Sequence, residues 1–283
     1  MATTTTAPPP RPNHTGLTAK SFDTSRGRLT DTAQRVVIYG PGGVGKSTLA
    51  ALIKTVGLGN LFLDLESETD DLNVERIAAG ENGIQNFEDL RAALRMLASS
   101  KYDVVTIDNM TKAEQLITQW VLANVRTQKG TKVTSLEGYG YGKGYTHVYE
   151  TFLHLLGDLD ALTRAGKHII LICHDVAATV PNPEGDDFLQ YQPRLISTRN
   201  ADIRARLKEW ARHVLFVSLD KAVDSDGKAT GGGTRTIYAQ ALPTHMAKSR
   251  FLTGPYDYPD PRQRHEEAAQ VWRDIFRNGK KSG

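Results

Sequence analysis

Gly40-Pro41-Gly42-Gly43-Val44-Gly45-Lys46-Ser47-Thr48 is the stretch that decides the fold. It matches the pattern GxxxxGK[ST], with the apolar run Val36–Tyr39 before it and helix-like sequence from Lys46 onward. Glycines at this spacing let the backbone curl so that successive N–H groups face phosphate oxygens. The helix N-terminus that follows adds partial positive charge. The nine residues are therefore expected to cradle a nucleotide, with Lys46 on the β- and γ-phosphates and the Ser47 hydroxyl on a magnesium ion. ATP and magnesium are the ligands this reading requires.

Outward from that loop, short apolar runs alternate with segments of helical spacing. Strands are expected at Val36–Tyr39, Leu61–Leu65, Val104–Ile107 and Ile169–Cys173. Helices are expected at about 46–55, 87–99, 112–125 and 146–164. The alternation predicts an α/β fold, a mostly parallel sheet flanked by helices, as in a P-loop NTPase core. Beyond residue 175 the pattern changes. Residues 177–200 read as a long polar loop, and Val214–Leu219 with Thr236–Leu242 reads as a C-terminal β-hairpin with a flexible tip. PYDYPDPRQ should break regular structure before an amphipathic helix at His265–Phe276, with Ala268, Val271, Trp272 and Ile275 on one face. Residues 1–30, rich in Thr, Pro and Gly, read as a disordered tail. The core then spans 31–254, and 255–283 forms a linker and C-terminal helix.

Composition excludes several classes. Among 283 residues there is one cysteine, Cys173, so an internal disulfide framework and a multi-cysteine zinc site are ruled out. No run approaches the roughly 20 uncharged residues of a membrane-spanning helix, and the start MATTTTAPPPRPNHTG lacks the apolar segment of a secretory signal. No membrane partner is expected, and the reducing cytoplasm is the expected compartment. The net charge of +3 sits in the N-terminal tail, so nucleic-acid binding by the folded part would need local basic patches.

Carboxylates fall where nucleotide chemistry needs them. Val104-Val-Thr-Ile-Asp108-Asn109 ends a buried strand in Asp108, a candidate magnesium ligand beside the phosphate loop. Leu61-Phe-Leu-Asp-Leu-Glu66-Ser67-Glu68 puts further carboxylates at the end of the second strand, and Ile169-Ile-Leu-Ile-Cys-His174-Asp175 ends the fourth in His174.

The phosphate loop, DLES, TIDN, Gly140-Tyr-Gly-Lys-Gly-Tyr145 and LICHD together resemble the phage-encoded RecA-like ATPases, a group that includes the Sak-type single-strand annealing recombinases. The resemblance covers roughly residues 35–252. It implies that Glu66 orients the attacking water, with Glu68 the fallback, that His174 senses the γ-phosphate, and that Lys248 or Arg250 reaches a neighbouring subunit's γ-phosphate, with Arg250 the better finger. It further implies ATP-dependent annealing or strand pairing in recombination, a homo-oligomer in ring or filament form, and the cytoplasm of a bacterial host. Single-stranded DNA is the implied partner, with a single-strand-binding protein as a second candidate.

Two segments are expected to contact DNA. The first carries Lys129, Lys132 and Lys143 among Tyr139, Tyr141 and Tyr145; the second carries Arg194, Arg199, Arg204, Arg206, Lys208 and Arg212. Cations suit phosphates and rings suit unstacked bases. A nucleotide-driven loader or scaffold that never touches DNA is the rival reading. A small-molecule kinase fits less well, because no lid segment with clustered arginines follows the loop.

Overall fold

In the computed structural model, residues 32–220, 222–223, 229–230 and 234–277 are described. The expected disordered tail, and most of the hairpin tip after Asp220, lie outside them. The nine main strands are β1 (Arg35–Gly40), β2 (Asn60–Asp64), β3 (Glu75–Ala78), β4 (Val104–Asp108), β5 (His168–Val180), β6 (Phe188–Pro193), β7 (His213–Leu219), β8 (Arg235–Tyr238) and β9 (Tyr256–Asp257). They form one sheet in the order β9-β8-β7-β1-β5-β4-β2-β3, with β6 pairing to β5 outside that path. The six strands from β7 to β3 run parallel, while β8, β9 and β6 are antiparallel to their neighbours.

Alternation explains the continuous apolar runs. Val37 and Tyr39 of β1 join a core with α2 (Phe87–Leu97), α3 (Met110–Asn124) and α4 (Lys143–Arg164). Val36 and Ile38 face the other way, toward α1 (Lys46–Ala51) and the C-terminal helices α6 (His265–Ala268) and α7 (Gln270–Arg277). A strand buried on both faces has no polar side, so it reads as an unbroken apolar word. One further helix, α5 (Ile203–Trp210), buries Ile203, Leu207 and Trp210.

Register places the functional rim. Gly40 lies opposite His174, Ile172 opposite Asp108, and Asp108 opposite Asp64. The carboxyl ends of β1, β4 and β2 thus align beside the middle of β5, where its parallel pairing stops, and open parallel sheets bind ligands at that edge.

Several sequence expectations need correction. The first helix tightens after Ala51 into a 3₁₀ turn, Leu52–Val56, ended by Gly57 at φ +80°. Residues 177–200 are not a loop throughout: β5 runs on to Val180 and pairs with β6 as a projecting hairpin. Its outer half alternates between half-buried and exposed residues, so no apolar run announced it. Edge strand β3 was missed because all four of its residues are partly or fully exposed. PYDYPDPRQ contains β9, paired to β8 by backbone bonds. The last helix breaks at Ala269 into α6 and α7, yet Ala268, Val271, Trp272 and Ile275 are all buried as expected.

Candidate functional site

The phosphate loop connects β1 to α1 and is held from behind. A Cβ at Gly40 would sit 2.1 Å from the Val217 carbonyl oxygen, so only glycine lets the loop leave against β7. Gly45, at φ +94°, meets Arg235 and Tyr258 instead. The Tyr258 hydroxyl donates to the Gly45 carbonyl at 2.8 Å, and the Arg235 guanidinium stacks 4.5 Å from the Tyr258 ring centroid while donating to the Val44 and Pro259 carbonyls. Neither residue was singled out from the sequence. Tyr258 lies in a proline-rich segment with no pattern to mark it.

Lys46 is 8% exposed, and its ammonium donates to the carbonyls of Gly40 (2.9 Å) and Pro41 (2.8 Å). Burial lowers its pKa, while Asp108 and Asp175 nearby oppose the shift. The Ser47 hydroxyl donates to Asp108 Oδ2 at 2.5 Å. Burial pushes the Asp108 carboxyl up to about 6, against the Ser47 hydrogen bond and with help from the negative charges of Asp64 and Glu66. A carboxylate held under such stress favours a cation beside it. Among the described residues no group of three or more His, Cys, Asp or Glu could hold a metal unaided. Ser47 and Asp108 nonetheless fit magnesium, which takes one or two protein oxygens and leaves the rest of its shell to phosphate and water. The cleft beside them, about 310 Å³, is lined by Gly42, Gly43, Gly45, Lys46, Ser47 and Thr48 together with Glu68, Asp71, Asp108, Asn109 and His174.

Asp64, the residue that ends β2, organises the acidic loop that follows. It is 1% exposed and accepts hydrogen bonds from the Thr69 hydroxyl, the Thr69 and Glu68 amides, and Arg76. Burial raises its pKa, but these bonds together outweigh burial and hold the carboxyl below its ordinary value. Ser67 takes φ +57°, an uncommon conformation for a residue with a side chain. The two glutamates flank that bend. Both border an adjoining cleft with Lys112 and Gln119, and Glu68 also lines the nucleotide cleft.

Glu66 meets two partners. Asn109 Nδ2 donates to Glu66 Oε2 and also lies 3.2 Å from His174 Nε2; that nitrogen is 3.7 Å from the same Glu66 oxygen. Asn109 is 3% exposed and caps α3 by accepting the Lys112 N–H at 2.9 Å. An asparagine before a helix is a recognisable cap in sequence. Its second contact, to residues 43 and 65 positions away, is not.

The expected DNA residues fare unevenly. Lys132, Arg194, Arg199 and Arg206 are exposed, and Lys143 is half-buried in the first turn of α4. Arg204 is not a surface cation: it donates to Gln192 Oε1 and the Leu195 carbonyl, and burial lowers its pKa. Arg212 is half-buried as well. Tyr139 is buried, its hydroxyl shared by the carbonyls of Val121 and Val125, so it is no stacking platform. Tyr141 is 99% exposed. Lys248 donates to the carbonyls of Lys208, Glu209 and Ala211, capping the C-terminus of α5, and has no donor left for a neighbour's phosphate. Arg250 is exposed and follows the bridge between Lys248 and Val214, at the opposite end of the sheet from its own phosphate loop.

Among the described residues no helix is long and apolar enough to cross a membrane. None of the curated proteins matches the chain. The model of a family described as an AAA domain matches residues 32–251, from just before β1 to just past Arg250. That span takes in the phosphate loop, the aligned strand ends and the cap of α5, and by it the chain belongs to the AAA domain family.

Proposed function

We propose that the protein is a magnesium-dependent ATPase whose nucleotide state governs its contact with single-stranded DNA within a homo-oligomer, promoting annealing or strand pairing. The observation that carries the hydrolytic part is the meeting of Glu66, Asn109 and His174 on the rim that also bears Lys46 and the Ser47–Asp108 pair. In this reading the loop N–H groups and Lys46 bind the phosphates. Glu66 orients a water and accepts its proton, and His174 responds to the γ-phosphate. Glu68, which lines the nucleotide cleft, is the alternative base. Magnesium bound at Ser47 and Asp108 would neutralise charge on the β- and γ-phosphates. Glu66→Gln should retain ATP binding and lose turnover, because an amide fills the position without accepting a proton. Normal turnover in that variant, with loss in Glu68→Gln, would move the assignment by two residues.

Support for the DNA part is the exposed Tyr141 between Lys129, Lys132 and Lys143, and the exposed Arg194, Arg199 and Arg206. The deciding measurement is fluorescence anisotropy of a labelled oligonucleotide with a non-hydrolysable ATP analogue across several salt concentrations. Each lost phosphate contact should flatten the salt slope by roughly 0.7. No saturable binding at low salt would sink this part. The loader or scaffold reading then leads, favoured by the hairpin between β5 and β6. Glu184, Asp186 and Asp187 make its tip acidic, and Leu189, Tyr191, Leu219 and Leu242 are exposed along and beside it.

A further inference from the structure

Glu66 and Asn109 lie just past the ends of β2 and β4 and His174 lies midway along β5, yet the Asn109 amide nitrogen touches the other two. We propose that Asn109 is a positioning residue for hydrolysis, a yoke that sets the orientation of Glu66 according to where His174 lies. The proposal rests on the hydrolytic reading above and adds the link between sensor and base.

The amide cannot be turned around. Its Oδ1 accepts the Lys112 N–H, the bond that starts α3. A flipped amide would set NH₂ against that N–H and oxygen against the Glu66 carboxylate, losing two bonds and adding repulsion. Nδ2 therefore faces Glu66 and His174. It carries two hydrogens and lies against two atoms that can accept, Glu66 Oε2 and His174 Nε2, so the yoke requires an unprotonated Nε2.

The partners differ in freedom. Asn109 is fixed by the cap and by burial, whereas the Glu66 and His174 side chains are each 29% exposed. When His174 shifts toward a phosphate, Nδ2 loses one acceptor and its geometry to Glu66 must readjust. The sensor and the base are then coupled through one fixed group and no backbone movement is required. An asparagine serving only as a helix cap needs no contact on its Nδ2.

Asn109→Ser and Asn109→Asp separate the two roles, since both keep an oxygen that can cap α3 and neither keeps the donor. With ATP and magnesium present, both should keep KM while kcat falls roughly 100-fold, the scale of a misplaced catalytic group. Adding Asn109→Ser to Glu66→Gln should slow turnover little further, because the two residues act as a unit. Nitrogen-15 shifts of His174 in the nucleotide-free protein should show an unprotonated Nε2, a readout independent of turnover. Wild-type kcat in both Asn109 variants, fully multiplicative losses in the double variant, or a proton on Nε2 would each overturn the yoke. If Glu66→Gln itself turns over normally, the hydrolytic reading fails first. If Glu66→Gln is slow and the Asn109 variants are not, only the yoke fails. Should the serine and aspartate variants prove unfolded, His174→Gln carries the test: it leaves the cap untouched and should lower kcat without raising KM.

Discussion

The phosphate loop with its facing strand ends, and the segment from β6 through α5, are both rich in charged side chains, but they use them in opposite ways. At the strand ends, Lys46, Ser47, Asp108, Glu66 and Glu68 point into or border open clefts. Around α5, Arg194, Arg199 and Arg206 stay exposed, but other charged groups are consumed internally. Arg204 serves Gln192 and Leu195, Lys248 serves three carbonyls, and Glu114 accepts the Ile196 N–H at 2.7 Å. Such a cation holds a fold together. The difference is whether a group's hydrogen bonds are already spent, a property of three-dimensional neighbours that a count of arginines does not contain.

Substitutions in the two regions should therefore separate binding from stability. The largest effect is expected for Lys46→Ala. Nucleotide affinity should fall about 100-fold or more, worth about 3 kcal/mol, while the melting temperature stays close to wild type. Titration of a fluorescent ATP analogue alongside a thermal melt checks both, and unchanged affinity would remove the contrast. Arg204→Ala should do the reverse. It strands Gln192 and the Leu195 carbonyl and should cost about 2–3 kcal/mol in urea unfolding, with nucleotide affinity retained.

Glu114 gives the contrast a pH signature. Burial raises its carboxyl from 4.5 to about 7, against the Ile196 hydrogen bond and the Arg204 charge. The folded state then holds the proton more tightly than the unfolded chain. This contribution to stability is complete below about pH 4.5 and is lost as pH rises through 7. From pH 5 to 8 the loss should reach about 2 kcal/mol, and Glu114→Gln should flatten that part of the profile. An unchanged slope would show that the carboxylate is better solvated than its position implies. The smallest effect is expected for Lys248→Met, which frees the carbonyls at the end of α5 at a cost of about 1 kcal/mol. A matching loss of ATP turnover in assembled protein would instead return Lys248 to the finger role.

How much of this was legible follows the same division. The loop from Gly40 to Thr48 obeys a contiguous rule, and β1, β4 and the inner half of β5 are apolar words, so the parallel core and the Ser47–Asp108 pair could be read directly. The outer half of β5, β6 and β9 are held by backbone pairing, which side chains barely report. Asp64 looked like one more strand-end acid until its four donors were in view. Glu66 could be read as a glutamate close after the second strand, but its partner Asn109 emerges only when β2, β4 and β5 are side by side.

The Arg235–Tyr258 brace bears on how the molecule is made. Gly45 is synthesised early, and the groups that support it arrive about 200 residues later, with Trp272 then donating to the Leu49 carbonyl in the helix the loop begins. At translation speeds of roughly 5–20 residues per second, that interval lasts many seconds. Through all of it the nascent chain carries a complete nucleotide-binding sequence without its support. Tight nucleotide binding should consequently emerge only when the final strand and helices dock, making ligand capture a late reporter of completed folding.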